Sequence, residues 1–206
     1  MDGLIFRKLG MVTTYDEEGV AVPATLLYND GNTVLQKKTV EKEGYNAAVL
    51  GFGEAKEKNK SKSFVGVCKK AQTNVKEIFR EIRDFSIDAE PGKVIRTPDV
   101  FAVGDKVNAH GISKGKGFQG VVKRHGFSGV GNATHGQHNR ERHPGSVGAS
   151  SFPSRVFPGM RMAGRMGHSN VTVRNLEVLE IDVENDLIVV KGSVPGVKNS
   201  FVVLVK

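Results

Sequence analysis

The sequence predicts a mainly β protein with minor helix: an antiparallel β-barrel body interrupted by a long, irregular, basic extension. Three observations carry this. Short apolar runs bounded by turn residues occur both before residue 109 and after residue 170. One stretch alone shows helical spacing. Between the two β-rich parts lies a segment with the period of neither strand nor helix. With 206 residues, of which 38% are hydrophobic and 25% charged, the chain can bury a core without disulfide staples. Its single cysteine, Cys68, excludes a disulfide framework and a cysteine-built zinc site.

Taken in order, Leu4-Ile5-Phe6 reads as a short strand and Val20 to Tyr28 as a longer one. Asn29-Asp30-Gly31-Asn32 is a hairpin signal, with Thr33 to Thr39 as the returning strand. Tyr45 to Leu50 is a further strand, and the polar, mixed-charge residues 54–63 read as a loop. Val75, Ile78, Phe79, Ile82 and Phe85 fall at the spacing of one helical face, with Thr73 or Asn74 as its cap. Residues 100–109 read as strand, turn and strand. After the basic segment, Val171 and Val173, then Leu176 to Val183, restore β patterning. Glu184-Asn185-Asp186 turns the chain into Leu187 to Val190, and Phe201 to Val205 is the last strand.

The charge is unevenly placed. Between Lys106 and Arg174 there are 11 Lys and Arg against one acid, Glu141, while the remainder holds 19 basic and 21 acidic groups. The same 69 residues carry all six histidines and 13 of the 25 glycines. A solvated face mixes both signs. This segment nearly excludes carboxylates yet keeps Phe118, Phe127, Phe152 and Phe157. So many like charges repel one another unless an anion neutralises them, and phosphates do so with release of counterions. Pro144, Pro153, Pro158 and frequent glycine break any helix or ladder. The pattern points to a nucleic-acid contact surface, disordered alone and ordered on binding.

Competing motifs fail on context. Gly115-Lys116-Gly117-Phe118-Gln119-Gly120 spells GxGxxG, but a dinucleotide site needs a preceding strand and a following helix, and the glycines after Val122 make a poor helix. No Gly-Lys pair is followed by Ser or Thr, so there is no P-loop. His135, His138 and His143 have ligand-like spacing, yet Arg140 and Arg142 would repel a cation and only Glu141 could join them. Histidines that stack on bases or bond phosphates fit better. Ser146, Ser150 and Ser151 near His143 do not make a triad. No catalytic residue, metal or cofactor is expected. No apolar run reaches the ~20 residues of a membrane span, and residues 1–30 lack the apolar stretch of a signal peptide, so a reducing, cytoplasmic setting is expected.

Several runs then carry a resemblance. Phe101, Asn108, Gly111, Ser113, Gly115-Lys116-Gly117, Gly120 and Arg124 stand at the spacing of the signature of the universal large-subunit ribosomal protein three family, which this chain resembles. GLIFRKLGMVTTYDEEG, KTVEKEGYNAAVLGFGEAKEK, RVFPGMRMAGRMG and VTVRNLEVLEID resemble the family's opening, early core and return into the barrel. The length resembles the bacterial or organellar branch.

The resemblance implies a six-stranded barrel of the translation-protein type. It divides the chain into a body, residues 1–109 and 166–206, with a helical insertion at about 54–86, and a Gly/Arg/His-rich loop, 110–165, that penetrates rRNA. It further implies a structural constituent of the large ribosomal subunit, bound directly to its 23S-type rRNA near the 3′ end, early in assembly. The loop would reach toward the peptidyl-transferase centre, and neighbouring ribosomal proteins would be partners, with no membrane and no small-molecule substrate. A non-ribosomal RNA-binding or RNA-chaperone module shares the charge map. The candidate rRNA-binding residues are Lys114, Lys116, Lys123, Arg124, His125, His135, His138, Arg140, Arg142, His143, Arg155, Arg161 and Arg165. Many bacterial members carry a methylated glutamine in this loop. Ser151 stands at that position here, so the modification is not expected.

Overall fold

A computed structural model describes residues 2–56, 60–86, 90–131 and 135–206. In chain order the strands are β1 (Gly3–Tyr15), β2 (Ala21–Tyr28), β3 (Asn32–Lys38), β4 (Ala47–Glu54), β5 (Lys76–Arg83), β6 (Val94–Ile95), β7 (Lys106–Ile112), β8 (Phe118–Gln119), β9 (Gly164–Arg165), β10 (Asn170–Asp182), β11 (Leu187–Lys191) and β12 (Phe201–Val205). The helices are α1 (Val40–Glu43), α2 (Lys62–Lys70) and α3 (Val121–His125). The protein is thus mainly β. The chain divides into two compact units, residues 1–113 with 170–206, and residues 114–169.

In the first unit, six antiparallel strands close into a ring in the order β1-β12-β7-β10-β11-β2 and back to β1. The expected strands of the ring are present except one: residues 100–105 form no strand, since a 3-10 turn at Thr97–Asp99 and the turn before Lys106 leave only β7 in the ring. Strand β1 runs for 13 residues rather than three. Its first half is buried on both faces, because a second sheet, β5-β4-β3-β6, shares its core. Leu4, Phe6 and Leu27 from the ring meet Val34, Leu50, Phe52 and Ile82 from that sheet in one apolar cluster. The β10–β11 turn forms where expected, with Asp182 paired to Leu187 and its carboxylate accepting the backbone N–H of Glu184 and Asn185.

Further expectations are corrected. The residues Asn29 to Asn32 do not make a hairpin: β2 pairs with β1 and β11, while β3 pairs with β4 and β6. They carry the chain from one sheet to the other. The Asn29 side chain accepts from Gly31 N–H at 2.7 Å, and buried Asn32 bonds both N–H and C=O of Ile5, at 3.0 and 3.1 Å. The side chain of Asn32 thereby supplies the backbone partner that β1 lacks there.

Residues 75–85 are not a helix. They contain strand β5, which pairs Ile78 with Phe52 and Ile82 with Ala48. Ile78 and Ile82 face the main core, while Phe79 faces α2 and stacks on Phe64 with centroids 4.4 Å apart. A strand covered on both faces loses its alternation, and these apolar positions then imitate a helical face. The insertion's main helix is instead α2, capped by Ser61 and packed through buried Cys68 on Leu35. Residues 54–63 thus include a helix start where a loop is expected, and Asn74 bonds Glu54 rather than capping.

Polar contacts tie this unit together. Arg7 pairs with Glu77 at 2.7 Å and lies over the ring of Phe201. Buried Lys8 donates to the carbonyls of Val194 and Gly196. Lys38 bonds Glu81 at 2.5 Å and also Tyr45, which pushes its pKa up to about 12. Lys206 bonds Asp105 and holds that carboxyl below its ordinary range.

Candidate nucleic-acid interface

The unit of residues 114–169 contains nine Lys and Arg, five His and 12 Gly against the single acid Glu141. Its backbone is held at a neck. Lys116 N–H donates to Met166 C=O and Met166 N–H to Gly117 C=O, each at 2.9 Å. The short β8–β9 ladder continues this, pairing Phe118 with Arg165 and Gln119 with Gly164. Gly167, at φ +73°, passes so close to the Lys114 carbonyl that a Cβ would lie 2.1 Å from its oxygen. Only glycine fits there.

Directly after Gly120 comes α3, a five-residue helix where the glycine content argues against one. Its only buried side chain is Val121, and Gly126 closes it in the left-handed region at φ +74°. At its C-terminal end, Arg124 Nη1 donates to Met162 C=O at 2.6 Å, and His125 Nε2 lies 3.0 Å from the same oxygen. A Cβ on Gly164 would lie 2.6 Å from Arg124 Nη1. These two candidate RNA ligands therefore brace the neck, across 38 and 37 residues of chain. Such pairing is invisible to composition.

Beyond the neck the chain folds back on itself. Val130 N–H donates to Glu141 C=O at 3.1 Å, and Gln137 Nε2 donates to Val130 C=O at 2.7 Å. Gly129 faces Glu141 C=O so closely that no Cβ would fit. Arg155 lies over the ring of Phe157, 5.2 Å from its centroid. Ser151, exposed, accepts a hydrogen bond from Ser154 through its backbone carbonyl.

Lys114, Lys116, Lys123, His135, His138, Arg140, Arg142, His143, Arg155, Arg161 and Arg165 are all exposed, while Arg124 and His125 are half-buried. Among the described residues, every ion pair lies in the other unit. No cluster of three or more His, Cys, Asp or Glu is placed to hold a metal ion among them. The sixth histidine, His110, belongs to β7 and meets Thr172 Oγ1 of β10 at 2.8 Å. The arrangement offers many unneutralised cations on glycine-rich backbone, which suits close approach of phosphates.

Sequence reasoning did not find one feature of this unit. Phe127, Pro144, Val147, Met160 and Met162, with Ser146, Gly159 and Arg161, line a pocket of about 350 Å³. Its walls come from three stretches distant in sequence, and the only local signal is the run of Met160 and Met162 flanking Arg161.

Comparison with known proteins places the sequence beside one family. Residues 57–186 match the family model of ribosomal protein L3. The large ribosomal subunit protein uL3 of Salinibacter ruber (strain DSM 13855 / M31) is 48% identical over 204 residues, covering 99% of this chain and 98% of that protein.

Proposed function

Since the chain belongs to the ribosomal protein L3 family, we propose that it is a constituent of the large ribosomal subunit and binds large-subunit rRNA directly through residues 114–169. The observation that carries this reading is the run of cations in that unit without an ion-pair partner among the described residues. The closed ring of the other unit serves as a barrel of the translation-protein type and fixes where the basic unit leaves it. Lys114, Lys116, Lys123, Arg140, Arg142, Arg155, Arg161 and Arg165 neutralise phosphates brought together by rRNA folding. His135, His138 and His143 stack on bases or bond phosphates. Arg124 and His125 act first on Met162 C=O and only secondarily on RNA.

Binding comes early in assembly, near the 3′ end of the rRNA, and neighbouring ribosomal proteins contact the barrel. From there the basic unit reaches toward the peptidyl-transferase centre. If six to ten phosphates are engaged, affinity for rRNA falls by about 10³–10⁵ between 50 and 200 mM salt. The test is density-gradient sedimentation of a cell lysate at moderate salt, probing each fraction for the chain. Stoichiometric travel with the large subunit is expected. A chain that stays at the top of the gradient sinks the ribosomal reading and favours a free RNA-binding module.

A further inference from the structure

We propose that the pocket beside α3 receives one unstacked base of the RNA. This contact differs in kind from the phosphate contacts above, and it rests on the reading that this unit binds RNA. A volume of about 350 Å³ lies at the small end of ligand pockets, about 300–1,000 Å³, and admits a single ring system. Its walls are mostly apolar: the Phe127 ring, Val147, and the side chains of Met160 and Met162. Phosphate gains nothing from such walls. Yet the pocket sits in a unit where nine cations face one acid, so whatever enters it arrives attached to an anion. A flat, polarisable group tethered to phosphates meets both conditions, and an RNA base is such a group. Arg161 lies at the pocket, exposed, and its guanidinium can stack on the base or donate to its edge.

The pocket's walls are also tied to α3. Arg124 and His125 fix Met162 through its carbonyl, and the left-handed turn at Gly126 directs the chain from α3 into Phe127. Two walls are thus held by contacts within the chain itself, which lowers the ordering cost of binding. Met160 and Met162, 43% and 39% exposed, would leave water when a base enters.

The experiment measures binding of the full chain to deproteinised large-subunit rRNA across a salt series. Stacking of one base on an aromatic ring contributes about 1–3 kcal/mol, so Phe127→Ala weakens binding by about 5- to 150-fold, and Met160→Ala weakens it in the same direction. Neither changes the slope of log K against log salt, while Phe127→Tyr keeps the wild-type affinity. In parallel, a diazirine-bearing aliphatic residue replacing Val147 crosslinks, within intact large subunits, to the base of one nucleotide. Unchanged affinity in both alanine variants overturns the proposal. So does a slope that drops by about one charge, which would mean that a phosphate is held less well instead, and so does a crosslink that lands on a protein. If the wild-type chain itself shows no salt-dependent rRNA binding, the functional reading above fails, and the pocket proposal falls with it.

Discussion

In the unit of residues 1–113 and 170–206, cations meet carboxylates: Arg7 with Glu77, Lys38 with Glu81, Lys191 with Glu177, Lys206 with Asp105. Both apolar clusters lie there too. In residues 114–169 the charges other than Arg124 are exposed, and Val121 supplies the buried hydrophobic side chain found among the described residues. Phe152 is 89% exposed, whereas Phe6 is fully buried against Phe101. One unit is stabilised from within by apolar burial. The other is held by backbone hydrogen bonds at a neck and leaves its charge for a partner. The difference teaches that apolar burial and unpaired charge lie in separate parts of the chain, so that under the proposed function stability and binding can be perturbed separately.

The strongest way to break that separation is to remove the basic unit. Replacing residues 114–169 with a short Gly/Ser turn joins β7 to β10, whose ends already pair at Ile112 and Asn170. Thermal unfolding of the remaining ring should stay cooperative, while affinity for rRNA falls and the slope of log K against log salt shrinks by about 0.7–0.9 for each phosphate no longer neutralised. Loss of folding in this variant would show that the two parts are not separable.

The same substitution made in both units sharpens the contrast. Phe6→Ala should cost about 3–5 kcal/mol in denaturant unfolding, and Phe152→Ala no more than about 0.5 kcal/mol. Within the first unit, Asn32→Ala removes the side chain that satisfies Ile5 and should cost about 1–3 kcal/mol.

Smaller in effect is the comparison of two cations in the basic unit. Lys116→Ala should reduce the salt slope of rRNA binding by about 0.7–0.9, as expected when one phosphate is no longer neutralised. Arg124→Ala should leave the slope closer to wild type and instead speed proteolysis within 126–161, because its guanidinium holds Met162 C=O. Equal slope changes in the two variants would assign Arg124 to phosphate.

The smallest effect is on pH. The hydrogen bond from Lys206, then that from Ala102 N–H, lowers the Asp105 pKa below its ordinary 3.8. A depressed carboxyl stabilises the fold above its unfolded pKa, and that contribution is lost as pH falls through the lower, folded value. Lys206→Ala should therefore lower Tm slightly at neutral pH and leave Tm less sensitive to pH below about 4.

The charge division and most ring strands were legible in the sequence because both are local. A segment with one carboxylate in 69 residues, or a short apolar run such as Phe201 to Val205, needs no knowledge of its neighbours. The turn at Asp182 to Asp186 is local in the same way, made by side chains reaching two or three residues on. Tertiary structure alone decided the rest. Strand β5 carries apolar residues on both faces, and only the sheet beneath and α2 above distinguish it from a helix. Asn29 to Asn32 has the composition of a hairpin, but Asn32 finds its partner in Ile5, 27 residues away. Nothing near Arg124 in the sequence shows that its guanidinium meets Met162 C=O, 38 residues on. Period and composition report what a residue is. Which atom lies opposite it depends on chain closure over tens of residues, and no local pattern encodes that.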